Sequence, residues 1–154
     1  MPEFKSSFTV QASLAEVVAF HHDTQVLRQL TPPLIFVQFH RVEPLGPGSV
    51  SDFTLWFGPF PVRWVAVHSQ QNQRLGFTDT QTYGPLLRWV HTHTFEDVGN
   101  NITRVQDTIA YEHHSGLKGL VSRMLFFRFG LHLLFAYRKF VTCRALERRN
   151  APSG

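Results

Sequence analysis

The sequence contains a single cysteine, Cys143, among its 154 residues. One cysteine excludes an intrachain disulfide and a zinc site built from cysteines, and it is typical of a reducing compartment. We therefore expect a cytoplasmic protein whose stability comes from a buried core. A chain of this length buries roughly 68–70% of the surface that its unfolded form exposes, so the core needs no covalent staple.

Charge of either sign is also scarce, because Asp, Glu, Lys and Arg together make up 17% of the residues. The 15 basic residues only slightly outnumber the 11 acidic ones, and no nucleic-acid recognition motif accompanies them. We therefore expect no nucleic-acid partner. An apolar share of 43% excludes a disordered chain. No cofactor and no resident metal ion are predicted.

Long uninterrupted apolar runs are absent as well. The most apolar stretch, residues 124–140, is broken by Arg128, His132, Arg138 and Lys139. The N-terminal residues contain no apolar run of the length that a secretory signal needs. The sequence therefore predicts neither a membrane-spanning segment nor a secretory signal.

Aromatic residues and histidines, by contrast, are abundant: 15 Phe, 3 Trp, 3 Tyr and 9 His. Residues 4–10 alternate apolar and polar side chains, which predicts a half-buried strand. Ser13 and Glu16 have the spacing of a capping box, and the short helix that follows is predicted to reach about Phe20. A second short helix has to end before Pro32.

Residues 34–112 follow a strand pattern, with short apolar and β-branched runs separated by turn signals. Because each gap is short, successive strands are predicted to be antiparallel neighbours. From about residue 117 to residue 148 the helical period returns, which predicts one long helix. A single domain of residues 1–148 is expected, with residues 149–154 as a disordered tail. The predicted strands of the central region are residues 34–43, 50–57, 62–70, 76–83, 86–96 and 102–112.

Several motifs, taken with this element order, are similar to a known superfamily. The motifs are Phe77-Thr78-Asp79-Thr80-Gln81, Gly84-Pro85, Trp89-Val90-His91-Thr92-His93-Thr94-Phe95, Asp107-Thr108-Ile109-Ala110-Tyr111 and Leu30-Thr31-Pro32-Pro33. They resemble a bacterial cyclase-like branch of the START-related (SRPBCC) superfamily, which includes the major birch pollen allergen, polyketide cyclases and dehydrases, and lipid-transfer domains. The resemblance covers nearly the whole chain.

The resemblance implies an α+β helix-grip fold. In that fold a seven-stranded curved antiparallel sheet wraps around a long C-terminal helix, two short helices follow strand 1, and a cavity lies between the sheet and the long helix. Members of the superfamily bind lipids, bind hormones or catalyse cyclisation, so the resemblance by itself does not fix a function.

Strand alternation decides which side chains face the cavity. In the runs 86–96 and 102–112 the odd-numbered positions are the more apolar and aromatic, so we place those positions inside. Trp64, Ala66 and His68 share one face of their own strand, and we place that face inside as well.

Turn lengths predict how these strands pair. If the turns on both sides of strand 86–96 are three-residue loops, His93 lies opposite Asp107 and His91 lies opposite Asp79. The sequence therefore predicts a polar cluster of these four residues in a cavity otherwise walled by aromatic side chains.

Four roles fit this cluster. It can be a buried network that fixes the strand register, a set of polar groups that orients a ligand, a general acid–base pair, or a metal site. The catalytic candidates are His91, His93 and Asp107. Cys143 is expected to be non-catalytic, and the pair His21-His22 is expected to be solvated at a helix end.

The predicted ligand is a hydrophobic small molecule that is lipid-like, polyketide-like or aromatic. A cyclase- or dehydratase-type enzyme and a ligand-free module that dimerises through the C-terminal helix are the alternatives. The predicted ligand-binding residues are Trp64, Asp79, Gln81, Trp89, His91, His93, Asp107, Tyr111, Met124, Phe127 and Leu131.

The predicted long helix has two apolar stripes. One stripe, which includes Met124, Phe127 and Leu131, is expected to roof the cavity. The other lies on the opposite side and is either buried, or forms a homodimer or a membrane-surface contact. The residues of this second stripe are Phe126, Phe129, Leu133 and Phe140.

Overall fold

The structure is a computed structural model that describes residues 2–72 and 76–150, with only the backbone of residues 70–72. Within these ranges a seven-stranded antiparallel sheet packs against four helices, which confirms the predicted α+β helix-grip architecture. The strands are β1 (Glu3–Val10), β2 (Ile35–Val42), β3 (Val50–Phe57), β4 (Phe60–Asn72), β5 (Gly76–Tyr83), β6 (Arg88–Gly99) and β7 (Ile102–Glu112). The helices are α1 (Leu14–His22), α2 (Val26–Leu30), α3 (Gly116–Leu125) and α4 (Arg128–Arg149).

The sheet has the strand order β1-β7-β6-β5-β4-β3-β2. Strands β2 to β6 each pair with the next strand in the chain, as their short connections predict. The N-terminal strand β1 closes the other edge by pairing with β7. Helix α1 begins at the predicted capping box, where the Ser13 hydroxyl accepts from the backbone N–H of Glu16.

The predicted inner faces of β6 and β7 are confirmed. His91 and His93 on β6 are buried, and so are Asp107 and Ile109 on β7. The predicted pairings are confirmed too, because His93 lies opposite Asp107 and His91 lies opposite Asp79. The two histidines of β6 and the aspartate of β7 therefore face the interior of the protein.

The β6–β7 turn differs in detail from the three-residue loop that the sequence predicts. Asn100 and Asn101 form a two-residue turn, and both adopt the left-handed conformation with φ of 56° and 57°. Val98 is an extra residue on β6, because Asp97 pairs with Thr103 while Gly99 pairs with Ile102. The bulge and the shorter turn cancel, so the register beyond them is unchanged.

The predicted single helix over residues 117–148 is wrong, because the chain breaks into α3 and α4 at Phe126 and Phe127. Phe126 belongs to the second predicted stripe, yet its ring is buried in the core. It lies 5.8 Å from the ring of Trp64 and 6.0 Å from that of Trp89. A straight helix would carry this ring away from the sheet, so the break stabilises the protein by burying a large aromatic side chain.

Helix α3 turns its small residues towards the body of the protein. Gly119 and Ser122 are its buried residues, and a Cβ on Gly119 would overlap the carbonyl group of His114. The expected position of Met124 in the cavity roof is therefore wrong, because its side chain is 69% exposed. Phe127, at the break, is 48% exposed and also points away from the roof.

Helix α4 covers the concave side of the sheet with Leu131, Phe135 and Leu146. By length and apolar composition alone, the helical region 116–149 taken as a whole is long enough to cross a membrane. A helix that is mostly buried in a protein core passes the same test, but only 28% of the apolar window is buried here. Helix α4 buries Leu131, Phe135 and Leu146, whereas its Phe129, Leu133 and Phe140 are exposed.

Candidate functional site

A cavity of about 530 Å³ lies between the concave face of the sheet and the helices α2 and α4. Its walls are mainly apolar and aromatic, and the two indole rings of Trp64 and Trp89 meet edge to face with 5.3 Å between ring centroids. Phe53 stacks on the other side of Trp64. The space is of the size that small-molecule sites have in proteins.

The cavity is polar at one end and apolar at the other. Along β6, Trp89 is followed on the same face by His91 and His93. Along α4, Leu131 is followed by Arg138 two helical turns later. Strand β4 repeats this order, from an indole at Trp64 to an imidazole at His68. All three elements therefore place their apolar residues at one end of the cavity and their polar residues at the other.

The polar end contains three histidines and two aspartates. Asp79 Oδ1 lies 2.8 Å from Nε2 of His68, and Asp79 Oδ2 lies 3.2 Å from Nε2 of His93. Asp107 Oδ1 lies 2.9 Å from Nε2 of His91 and 2.8 Å from Nδ1 of His93. The side chains thus form one chain of alternating rings and carboxylates, His68–Asp79–His93–Asp107–His91.

This geometry decides the protonation of His93. Each ring nitrogen of His93 faces a carboxylate oxygen, and an ionised carboxylate only accepts hydrogen bonds. Both nitrogens therefore carry a proton, and His93 is an imidazolium. The contact from Nδ1 to Asp107 is close but poorly directed for a hydrogen bond, so it acts mainly as a charge–charge contact.

The pKa shifts in the cluster follow from these contacts. Burial disfavours the charged form of His93, but Asp107 and Asp79 more than offset that effect and raise its pKa to about 9. Burial and the positive charge of His93 lower the pKa of His91 to about 4, although Asp107 opposes them. His91 is therefore neutral at pH 7, with its proton on Nε2 and its lone pair on Nδ1.

The aspartates are ionised. Burial would raise the pKa of Asp107, but the hydrogen bond from His91 and the close contact with the positively charged His93 hold the pKa of that carboxyl well below its usual range. Asp79 shows the same balance, with hydrogen bonds from His68 and His93 outweighing its burial and lowering its pKa. Each carboxylate contacts two histidine rings of the cluster.

Sequence reasoning did not include His68, His21 or Arg138 in the site. His68 lies directly opposite Asp79 on the neighbouring strand, but a register shift between Ser69 and Asn72, next to the β4–β5 turn, hides that pairing from a count along the chain. Arg138 carried an available signal, because it lies seven positions after Leu131 and so on the same helix face.

The expectation that His21 is solvated is wrong. Its Nδ1 lies 2.9 Å from the carbonyl oxygen of Val17, and its ring lies 4.9 Å from the ring of Phe95. His21 lines the cavity, and burial, together with the nearby His93, lowers its pKa to about 4.

The predicted site residues fall into three groups. Trp64, Asp79, Trp89, His91, His93 and Leu131 line the cavity. Asp107 and Tyr111 are buried outside the cavity lining, and Gln81 also lies outside it, with its side chain donating to the carbonyl oxygen of Leu86. Met124 and Phe127 lie outside the cavity on the surface.

Asp79, His91 and His93 each bring one potential ligand atom within 4.8 Å of the others. These atoms are not available to a metal ion, because Nε2 of His91 and both nitrogens of His93 already contact carboxylates. A metal ion would have to displace those contacts. The residues fit a paired histidine–aspartate network better than a metal site.

A curved antiparallel sheet, a long C-terminal helix and an internal cavity between them define the helix-grip fold. No family model matches the chain, and no curated protein matches it. Comparison with solved structures agrees with the fold. The chain is similar to the Zhui aromatase/cyclase from a Streptomyces species, with a TM-score of 0.78 and 14% identity over 99% of this chain and 98% of that one.

Two further solved structures have the same architecture. A START superfamily protein from Mycobacterium smegmatis has a TM-score of 0.70 and 11% identity, over 95% of this chain and 97% of that one. Norcoclaurine synthase from Thalictrum flavum has a TM-score of 0.71 and 14% identity, over 97% of this chain and 96% of that one. At these identities the likeness establishes the fold.

Proposed function

We propose that the protein binds a hydrophobic small molecule in the cavity between the sheet and α4. The observation that carries this proposal is the cavity itself, about 530 Å³ of space walled largely by aromatic and aliphatic side chains. Empty apolar space costs packing energy, so a ligand that fills it gains dispersion contacts and leaves water. The cytoplasm is the proposed location.

The ligand has an apolar body and a polar end. The apolar body lies among Trp64, Trp89 and Leu131, and the polar end reaches the histidine cluster. From Trp89 to His93 the strand rises about 13 Å at roughly 3.3 Å per residue, which sets the scale of the ligand. Lipid-like, polyketide-like and aromatic molecules all have this form.

Binding is tested with N-phenyl-1-naphthylamine, an uncharged aromatic probe whose fluorescence rises in apolar surroundings. We expect saturable binding, together with quenching of the cavity tryptophans. Native mass spectrometry of the purified protein, followed by denaturing extraction, identifies any molecule that co-purifies. A protein that carries no ligand and takes up no probe would contradict the proposal.

A second candidate function is general acid–base catalysis of a cyclisation or dehydration. The observation in its favour is the pair formed by neutral His91, which lines the cavity, and Asp107, which holds its Nε2–H at 2.9 Å. This arrangement orients the Nδ1 lone pair as a proton acceptor. His93 is less suited to act as a base, because both of its nitrogens are protonated.

The two functions are separated by turnover of an acyclic poly-β-ketone. If the protein is an enzyme, His91→Gln loses turnover and keeps probe binding, while His132→Gln, which replaces an exposed histidine on α4, keeps both. If the wild-type protein binds the probe but shows no turnover, the catalytic function is rejected and the binding function is retained.

A further inference from the structure

The polar end of the cavity contains one cation that the histidine–aspartate cluster does not use. Arg138 lines the cavity, and its guanidinium carbon lies 5.1 Å from the centre of the Phe135 ring. Its Nε is buried and has no hydrogen-bond partner, and none of the ion pairs among the described residues includes Arg138. A buried donor without a partner is costly, which makes a ligand acceptor at this position favourable.

The charged groups around Arg138 indicate whether that ligand group is anionic or cationic. The two carboxylates, Asp79 and Asp107, are both occupied by histidine nitrogens. The imidazolium of His93 lies between these two carboxylates, whereas the guanidinium of Arg138 takes part in none of the ion pairs of the described residues. A cationic ligand group would be repelled by this guanidinium, whereas an anionic group would pair with it.

We propose that the cavity binds amphipathic anions, with Arg138 holding a carboxylate or a similar anionic group next to the histidine cluster. A planar guanidinium binds such a group through paired hydrogen bonds. The apolar body of the ligand then extends towards Trp64 and Trp89. This inference rests on the proposed function, because it names the class of ligand for the same cavity.

Two probes with one aromatic skeleton test the inference. The anion 1-anilinonaphthalene-8-sulfonate is compared with the uncharged N-phenyl-1-naphthylamine on wild type, on Arg138→Met and on Lys139→Met, which removes a neighbouring exposed cation. We expect Arg138→Met to lose about tenfold in affinity for the anion and to keep its affinity for the neutral probe. Lys139→Met should leave both affinities unchanged, and Arg138→Lys should retain part of the preference.

The outcomes separate the two proposals. If both probes bind and Arg138→Met weakens them equally, or if Lys139→Met has the same effect as Arg138→Met, the anion inference fails and the binding function stands. If neither probe binds wild type, both fail. Binding of the neutral probe to Arg138→Met shows that this variant retains the fold.

A different observation concerns the outer surface of α3. Leu117, Leu120, Val121 and Met124 follow the i, i+3, i+4, i+7 spacing of an apolar helix face, and all four are exposed. The helix therefore packs on the body through its glycine and serine and turns its apolar face outwards, opposite to the usual orientation of a surface helix. An apolar face of this kind marks a contact site.

Charge indicates what covers this face. Residues 113–146 contain six Lys or Arg and no Asp or Glu. Two copies of the face brought together would set Lys118, Arg123 and Arg128 against each other with no acidic residue of this segment to pair them. An anionic lipid surface accepts both the apolar side chains and the flanking cations.

We infer that α3 docks on anionic membranes. The next residues in the chain, Leu125 and Phe126, line the cavity, so docking places the cavity wall at the lipid surface. A peripheral position of this kind gives a hydrophobic ligand a path between membrane and cavity that avoids bulk water. The sequence predicts a membrane contact that includes Phe126, but Phe126 is buried and cannot take part. The proposed contact through α3 instead extends to Phe129 and Leu133, which are exposed.

Vesicle co-sedimentation tests the docking. Wild type should bind vesicles of phosphatidylcholine with phosphatidylglycerol, bind phosphatidylcholine alone more weakly, and lose binding as salt rises. Leu120→Asp should weaken partitioning about tenfold, while Phe60→Asp, a change at a similarly exposed residue at the start of β4, should not. Equal effects of the two variants would overturn the inference. So would a wild-type dimer that Leu120→Asp converts to a monomer in sedimentation velocity, because a second copy would then cover the face.

Discussion

His93 titrates very differently in the fold from a free histidine. It is buried between two carboxylates, so folding fixes a proton on it that the unfolded chain would release near the ordinary histidine pKa of about 6.5. Its neighbour His91 shows the opposite effect, because burial beside that cation keeps it neutral. Two histidines two residues apart therefore link the stability of the fold to pH in opposite directions.

The free energy of unfolding should be greatest near neutral pH. Above pH 6.5 the folded state holds the proton of His93 that the unfolded state has lost, so stability falls until the pH passes the folded pKa of about 9. Below pH 6.5, His91 has to gain a proton on unfolding, so stability falls towards its folded pKa of about 4. Each histidine contributes a slope of at most about 1.4 kcal/mol per pH unit.

Urea unfolding of wild type and of His93→Gln between pH 6.5 and pH 8 measures the first of these slopes. The variant should be less stable at pH 6.5 and should show a smaller loss of stability towards pH 8. A residual slope is expected from His68, whose pKa Asp79 raises in spite of burial. His132→Gln, an exposed change on α4, should reproduce the wild-type slope. A His93→Gln slope equal to that of wild type would mean that His93 is not charged in the fold.

The α3–α4 break is the feature that most distinguishes the C-terminal segment. A helix of more than thirty residues would suit the local sequence, which contains no proline between Gly116 and Arg149. The break is sustained by tertiary packing, because it places the Phe126 ring against both Trp64 and Trp89. It also frees α3 to take an orientation of its own.

Phe126→Ala should destabilise the protein by about 3 kcal/mol, because it removes a buried ring that joins the two indoles. This expected loss of stability lies at the lower end of the range for replacing a buried phenylalanine by alanine, because one side of the ring already faces the cavity. Phe129→Ala makes the same chemical change three residues later on an exposed side chain and should cost less than about 0.5 kcal/mol. Thermal and urea unfolding of both variants measure the difference, and equal losses would contradict the role of Phe126.

At the scale of the whole molecule, two hydrophobic clusters form the packed core, and the cavity lies beside them. Helices α1 and α2 join Phe8, Val17 and Leu146 in one hydrophobic cluster, and Trp64, Trp89 and Phe135 lie in a second cluster nearer the N-terminal half of α4. The cavity lies against both clusters, while the histidine–aspartate chain crosses its floor from β4 to β7. The site is therefore built on strands, which hold it in a fixed geometry.

The larger side chain of Ala66→Leu should fill part of the cavity from the side formed by the sheet. Ala66 is buried on β4 between Trp64 and His68, and a leucine there can extend into the empty space. We expect a stability change within about 1 kcal/mol of zero and a loss of neutral-probe affinity of about tenfold. Val67→Leu, on the other face of the same strand, should keep the wild-type affinity. Strong destabilisation with unchanged probe binding would show that Ala66 does not border the binding space.

The sequence alone was sufficient to predict the sheet and the four residues at the centre of its polar cluster. Alternation in β6 and β7 is a local property, and the turn lengths between neighbouring strands set which residues lie opposite each other. His91, His93, Asp79 and Asp107 could therefore be brought together by counting along the chain. The turn at Asn100 did not follow the expected form, but its bulge restored the same register.

Tertiary structure alone decided the remaining features, because they depend on contacts between residues far apart in the chain. The spacing of α3 predicts an apolar face but not its direction, which is seen only in the structure, where Gly119 and Ser122 are buried and the apolar side chains are exposed. The helix break depends on the contacts of Phe126 with two indole rings, one on β4 and one on β6. The role of Arg138 depends on which nearby carboxylates are already taken, and no pattern along one element carries that information.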